Sequence, residues 1–183
     1  MNEFEENIET YIDHYDIEKH LFLNGAEWIK KGWLDKPEFL EICLWKSRRP
    51  KRFYEQNNNF EIREFTEKAF AESNEKTKIE LLTNLKGVSI PTASAILCVT
   101  NSIDFPIIDI RCIETLVDLK LIYWSNINLN SWGEYLNIVR QLAKKHNKTA
   151  RELEKGLFAY NRIKLDKQYK NLYKYGNSKT KNV

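Results

Sequence analysis

Residues 78–116 read KIELLTNLKGVSIPTASAILCVTNSIDFPIIDIRCIETL, and the fold is decided inside this stretch. An amphipathic helix ends near Leu85 and meets the turn Lys86-Gly87-Val88-Ser89-Ile90. A second helix starts at Pro91 and runs through the small residues Thr92, Ala93, Ser94 and Ala95. Gly87 permits a positive φ and a close approach to another backbone. Val88 is placed to point back between the helices, and Pro91 pre-sets φ for a first helical turn. The N–H groups at that helix start can grip a phosphate, and the alanine and serine stripe lets the two helices pack tightly.

Outward from this hairpin, helical spacing continues in both directions. Ile62, Phe65 and Ala69 recur at three and four residues, as do Ala150, Leu153, Leu157 and Phe158, and Leu136, Val139, Leu142 and Ala143 repeat the pattern. Period-two alternation is nearly absent, and the run Phe105 to Asp109 is too short to build a sheet. The chain is therefore expected to be all-α. Helices are predicted over about 3–23, 37–47, 61–72, 76–86, 91–101, 109–122, 132–146 and 149–163, with ends free by a few residues. Proline falls only at Pro37, Pro50, Pro91 and Pro106, and Pro37 fits a first helical turn. Ser47 to Arg52 and Gln56 to Asn59 read as loops. Residues 1–165 are expected to form one compact helical domain, or two small lobes with the hairpin at 76–101. Residues 166–183 are polar and lysine-rich, expected to be a flexible basic tail.

Composition restricts the class. Of 183 residues, 42% are hydrophobic and 30% charged, the balance of a globular chain rather than a disordered one. No apolar run approaches the ~20 residues that cross a bilayer, and the acidic start MNEFEENIETYID lacks the blocks of a signal peptide. A cytoplasmic protein without a membrane partner is expected. Cys43, Cys98 and Cys112 are odd in number, widely spaced and set among apolar residues, and no CxxC occurs. They read as small buried residues, not as a disulfide framework or a metal site.

The net charge of +3 is unevenly spread. Residues 1–27 carry eight acidic side chains against one lysine, 28–54 carry eight basic against three acidic, and 155–183 carry eight basic against one. Two basic zones suit a polyanion-facing surface; solvated lysines would give the same counts. The densest zone is FLEICLWKSRRPKRFY, where Lys46, Arg48, Arg49, Lys51 and Arg52 are interleaved with Trp45, Phe53 and Tyr54. Such a mixture suits phosphate contacts beside base stacking. The alternative is a helix end whose cations complement its dipole, with Trp45 in the core.

LKGVSIPTASAIL resembles the hairpin L-x-G-V-G-x-x-T-A-x-x-I-L of the helix-hairpin-helix DNA glycosylase superfamily, which includes the endonuclease III-like enzymes. FPIIDIRCIETL resembles the P-x-x-D-x-x-x-x-R-x-L segment that follows it in that family. Asp109 lies eighteen residues after Pro91, the separation between the family's hairpin lysine and its catalytic aspartate. The resemblance spans residues 82–116 and departs from the family in several ways. Pro91 stands where bifunctional members carry a nucleophilic lysine, and Ser89 replaces the second hairpin glycine, which could narrow the turn. Only about 40 residues separate WKSRRP from the hairpin, which leaves less room than the larger members use for a second lobe. The family's iron–sulfur cysteines are absent.

The resemblance implies a helix-hairpin-helix glycosylase fold and a DNA partner. It also implies base flipping followed by hydrolysis of an N-glycosidic bond, with ionised Asp109 stabilising the sugar cation. Lys86, Gly87, Val88, Ser89, Ile90 and Thr92 would hold the DNA backbone, helped by Lys46, Arg48 and Arg49. No cofactor is expected beyond a K+ or Na+ ion that the family implies at the hairpin backbone, and a monomer is expected. Asp109 also reads as an ordinary helix N-cap, Arg111 as one half of a structural pair, and Lys86 and Ser89 as solvated turn residues. Two rival functions stand beside the enzyme: a DNA-binding protein that kept the hairpin without the chemistry, and a helical protein-interaction module.

Overall fold

The computed structural model describes residues 2–14 and 19–165. All regular structure among them is helical: α1 (Glu3–Glu6), α2 (Ile8–Asp13), α3 (Lys19–Lys31), α4 (Lys36–Lys46), α5 (Lys51–Tyr54), α6 (Asn59–Ala71), α7 (Glu75–Thr83), α8 (Ile90–Thr100), α9 (Ile110–Asp118), α10 (Leu129–Lys145) and α11 (Ala150–Tyr160), followed by a π-helical turn at Asn161–Leu165. The expected all-α class is the observed one. The basic stretch 166–183 lies outside the described residues.

Local chemistry explains most of the boundaries. Asp35 and Asn58 each close a capping box, with Glu38 and Glu61 reaching back to the cap backbone, so α4 and α6 begin where a side-chain oxygen meets orphan N–H groups. Asn128 caps α10 in the same way through Ser131. The expected helix to residue 122 stops at Asp118. Lys120 adopts φ 58°, and the Leu121 N–H returns to the Leu116 carbonyl at 2.9 Å, a left-handed C-terminal cap. Asn147 at φ 53° ends α10 likewise, with the Lys148 N–H on the Ala143 carbonyl.

Two expectations are corrected. The single helix over 3–23 is replaced by α1, α2 and α3, because Asn7 leaves helical geometry (φ −120°, ψ 23°) between the first two. α3 then continues to Lys31 through Gly25, a residue that costs a helix about 1 kcal/mol and reads as a stop. It is tolerated because a Cβ at Gly25 would lie 2.0 Å from the Val99 carbonyl oxygen, so only glycine lets α3 cross α8 this closely. The loop expected over Ser47–Arg52 is cut short by α5, which starts right after Pro50.

The chain divides into two compact units. Of the described residues, the larger takes 19–108 and 126–154. Its centre is α8, where every residue from Thr92 to Thr100 is buried, with α3, α4 and α7 packed around it. Phe39, Ile42, Ile62, Ile79 and Leu82 supply much of the surrounding core, and Trp132 ties α10 to α7 by donating its indole N–H to the Glu75 carbonyl at 3.2 Å. Of the described residues, the smaller unit takes 2–14, 109–125 and 155–165. Phe4, Tyr11 and Tyr160 cluster there with ring centroids 5.2–6.1 Å apart, and Thr115 donates its hydroxyl to the Leu157 carbonyl.

Candidate nucleic-acid interface

The hairpin joins α7 to α8 within the larger unit. Gly87 has φ +83°, the left-handed geometry that favours glycine, and the Val88 N–H closes the turn onto the Leu85 carbonyl at 3.0 Å. Val88 is buried, as its inward placement requires. Ser89, the N-cap of α8, is extended at φ −93°, ψ 169°. Any residue adopts that conformation, so serine in place of the second glycine does not strain or narrow the turn. Its hydroxyl makes no cap bond to the helix; it lies 3.3 Å from the Thr92 hydroxyl instead. The first-turn N–H groups of a helix have no intrahelical acceptor, and here no side chain of the N-cap takes them up. Lys86 and Ser89 are exposed, Gly87 and Ile90 half-buried. Thr92 is buried with its hydroxyl 3.4 Å from that of Tyr54, so its side chain works inside the fold, and only its backbone could serve a ligand.

What sequence reasoning missed is the way the basic stretch and the hairpin are joined. Asn57, only 1% exposed, accepts from the Lys86 N–H at 2.8 Å and donates to the Lys86 carbonyl at 3.0 Å and to the Tyr54 carbonyl at 3.0 Å. Its side-chain amide thus pairs with both backbone groups of the one lysine in the turn 86–90. A Cβ on Gly87 would come within 2.9 Å of Phe53 Cβ and of the Tyr54 ring. The close approach that Gly87 permits is to α5, the helix that ends the basic stretch. Burial pushes the Tyr54 phenol up from its ordinary pKa, against the opposing pull of the hydrogen bond to Thr92, so it stays a neutral packing group.

The cations of the basic stretch are mostly in water. Arg48, Arg49, Lys51 and Arg52 are exposed and Lys46 is half-buried. The Arg52 guanidinium lies 4.7 Å above the ring of Phe53, itself 42% exposed. Lys51 pairs with Glu55 at 3.6 Å, an exposed pair of small energetic weight. Trp45 takes the alternative place: it meets Phe22 edge-on at 6.0 Å and has the Arg151 guanidinium 5.9 Å from its ring, so it packs rather than offering a platform.

Within the smaller unit, Asp109 is half-buried and is the N-cap of α9, its carboxylate accepting from the Arg111 N–H at 3.1 Å. Arg111 turns to structure: its guanidinium donates to Asn161 at 3.0 Å, and Asn161 donates in turn to Glu114 at 2.9 Å. In the larger unit the residues just ahead of Asp109 in sequence are fixed at two points. The Ile108 N–H donates to the Ser94 hydroxyl at 3.1 Å, and the Tyr135 hydroxyl donates to the Ile107 carbonyl at 2.8 Å.

All three cysteines are buried, and burial pushes the Cys43 thiol far above its ordinary range. Among the described residues no group of three or more His, Cys, Asp or Glu side chains could hold a metal ion, and no helix is long and apolar enough to cross a membrane. Compared with known proteins, the chain matches no family model, no curated protein and no solved structure.

Proposed function

We propose that the hairpin and the basic stretch bind the sugar–phosphate backbone of DNA, and that the protein acts as a monofunctional base-excision glycosylase of the helix-hairpin-helix type. The observation that carries this reading is the seating of a glycine turn, ahead of a helix start without a side-chain cap, against a segment of exposed arginines and lysines. Neutral N–H donors fix a phosphate in place, and cations supply affinity by releasing counterions. The K+ or Na+ that the resemblance implies would sit on hairpin carbonyls. Those of Leu85 and Lys86 each accept one hydrogen bond and keep a second lone pair, so the donors suit such an ion, and no step depends on it.

The target base would leave the stack, because its glycosidic bond is out of reach inside it. Asp109, ionised, would stabilise the oxocarbenium-like sugar and orient water at its anomeric carbon. The test is a panel of duplexes carrying uracil, alkylated, oxidised or mismatched bases, scored for abasic sites after alkali, with Asp109→Asn beside the wild type. Asparagine caps a helix about as well as aspartate, so folding and DNA affinity should hold. Loss of the charge should cut excision by about a hundredfold or more. Equal rates for the two proteins would reduce Asp109 to a cap.

The second reading is a DNA-binding protein without chemistry. It is favoured by one observation: the Asp109 carboxylate caps α9, accepting from the Arg111 N–H. Binding without excision anywhere in the panel would select it.

A further inference from the structure

We propose that Asn57 is the positioning residue of the DNA-backbone clamp, joining the hairpin and the basic stretch into one preorganised anion-binding unit. The inference rests on the DNA-binding reading above and adds a residue that never touches the ligand. Asn57 is 1% exposed, so a phosphate cannot reach it. Its amide instead holds both the N–H and the carbonyl of Lys86, while a second donor hydrogen holds the carbonyl of Tyr54 at the end of α5.

Four hydrogen bonds of one buried side chain, two with Lys86 and two to the Phe53 and Tyr54 carbonyls, tie the turn to α5 where it leaves α7. Gly87 comes next, and its contact with Phe53 and Tyr54 allows no space for the turn to shift toward α5. The Tyr54 hydroxyl near Thr92 adds a further point of attachment, in the first turn of α8. The geometry is selective for asparagine. Aspartate could accept from the Lys86 N–H but would set a carboxylate against the carbonyl oxygens of Phe53, Tyr54 and Lys86. Leucine or alanine would leave all of these backbone groups without this partner. Asn58 next door does a different job, capping α6 through its own side chain, so the two adjacent amides are not interchangeable.

A positioning role and a direct contact differ in salt dependence. Removing a cation that touches phosphate lowers the slope of log affinity against log salt, because fewer counterions are released. Loosening neutral N–H donors lowers affinity and leaves that slope in place. The experiment measures binding of wild type, Asn57→Ala, Asn57→Asp and Arg48→Ala/Arg49→Ala to one fluorescent duplex over a salt series. Circular dichroism fixes a temperature at which each is folded, and 15N spectra report on the Lys86 amide.

Asn57→Ala should bind about tenfold more weakly with the wild-type slope, in keeping with the loss of buried hydrogen bonds. Asn57→Asp, nearly the same size, should be weaker still. The Lys86 amide resonance should move in both variants while the resonances of Ile96 to Val99 stay in place. Wild-type affinity in folded Asn57→Ala, or a slope reduced as in the arginine variant, overturns the positioning role and leaves the DNA-binding reading standing. A wild type with no salt-dependent DNA binding overturns both. If Asn57→Ala does not fold, Asn57→Asp decides alone: wild-type affinity there also overturns the proposal.

Discussion

Gly87 and Gly32 make a matched pair on which the seating of the hairpin can be tested. Both belong to the larger unit and share nearly the same backbone, φ +83° and +85°. They differ in space. A Cβ on Gly32 meets nothing within 4 Å, whereas one on Gly87 falls 2.9 Å from Phe53 Cβ and from Tyr54 Cδ1, and 3.1 Å from Tyr54 Cε1. Alanine at either site pays about 1–2 kcal/mol for the left-handed conformation, offset by about 0.4–1 kcal/mol because the unfolded chain loses freedom. Gly32→Ala should therefore cost about 1 kcal/mol on these terms. Gly87→Ala adds an overpacking cost of about 1–3 kcal/mol. Relief is hard to find there, since Phe53 Cβ is anchored to backbone and Tyr54 is fully buried. The total reaches about 2–4 kcal/mol. At about 2–4 °C per kcal/mol for a chain of this size, Gly87→Ala should melt about 5–15 °C below wild type and Gly32→Ala only a few degrees below it. Differential scanning calorimetry of the three proteins reads this directly. If Gly87→Ala melts no lower than Gly32→Ala, the hairpin is not seated on α5 and the joined interface described above does not exist.

Other outcomes follow from the same geometry. The Arg48→Ala/Arg49→Ala protein should lose about one unit of log-affinity versus log-salt slope per phosphate-contacting cation removed; an unchanged slope would take the basic stretch out of the interface. Any excision should leave intact abasic sites, because Schiff-base chemistry needs an amine and Pro91 supplies none; borohydride trapping of protein on DNA would point to a lysine elsewhere in the chain. The buried Cys43 thiol, pushed upward, stays protonated in the fold while an unfolded thiol ionises near pH ~8.5. Stability from this group is thus present below that pH and is lost as pH rises above it, by up to about 1.4 kcal/mol per unit. Urea midpoints between pH 7 and 9.5 should fall more steeply for wild type than for Cys43→Ala, and parallel curves would refute the assignment.

The parts of this molecule that were legible in sequence are those set by local rules. The helix start at Pro37 follows from its fixed φ, and the turn at Gly87 from the need for positive φ. Asp109 as a cap, and Arg111 as half of a structural pair, are likewise readable from their neighbours. Long-range packing was not legible. Gly25 looks like the end of a helix until Val99 is known to lie against it. The QNNN run 56–59 offers three asparagines with no local sign that Asn57 is buried while Asn58 caps and Asn59 accepts from the Lys36 backbone. Thr92 reads as a ligand-facing residue of the hairpin until Tyr54 is known to lie against its hydroxyl, and for Trp45 the core place left open by the sequence is settled by Phe22.

The complete burial of α8 from Thr92 to Thr100 has a consequence for how occupancy could be sensed. Amides in so enclosed a helix exchange their hydrogens only when the larger unit opens as a whole, so their exchange rates measure its global free energy. The candidate phosphate grip lies at the first turn of this same helix. A ligand held there in the native state alone raises the opening free energy by RT ln(1 + [L]/Kd), about 2.7 kcal/mol at a hundredfold excess over Kd. The amide of Val99, at the opposite end of α8 from the hairpin, would then slow about a hundredfold on saturation without contacting the ligand. Deuterium uptake at one deeply buried position thereby becomes a binding isotherm for the surface at the helix's other end.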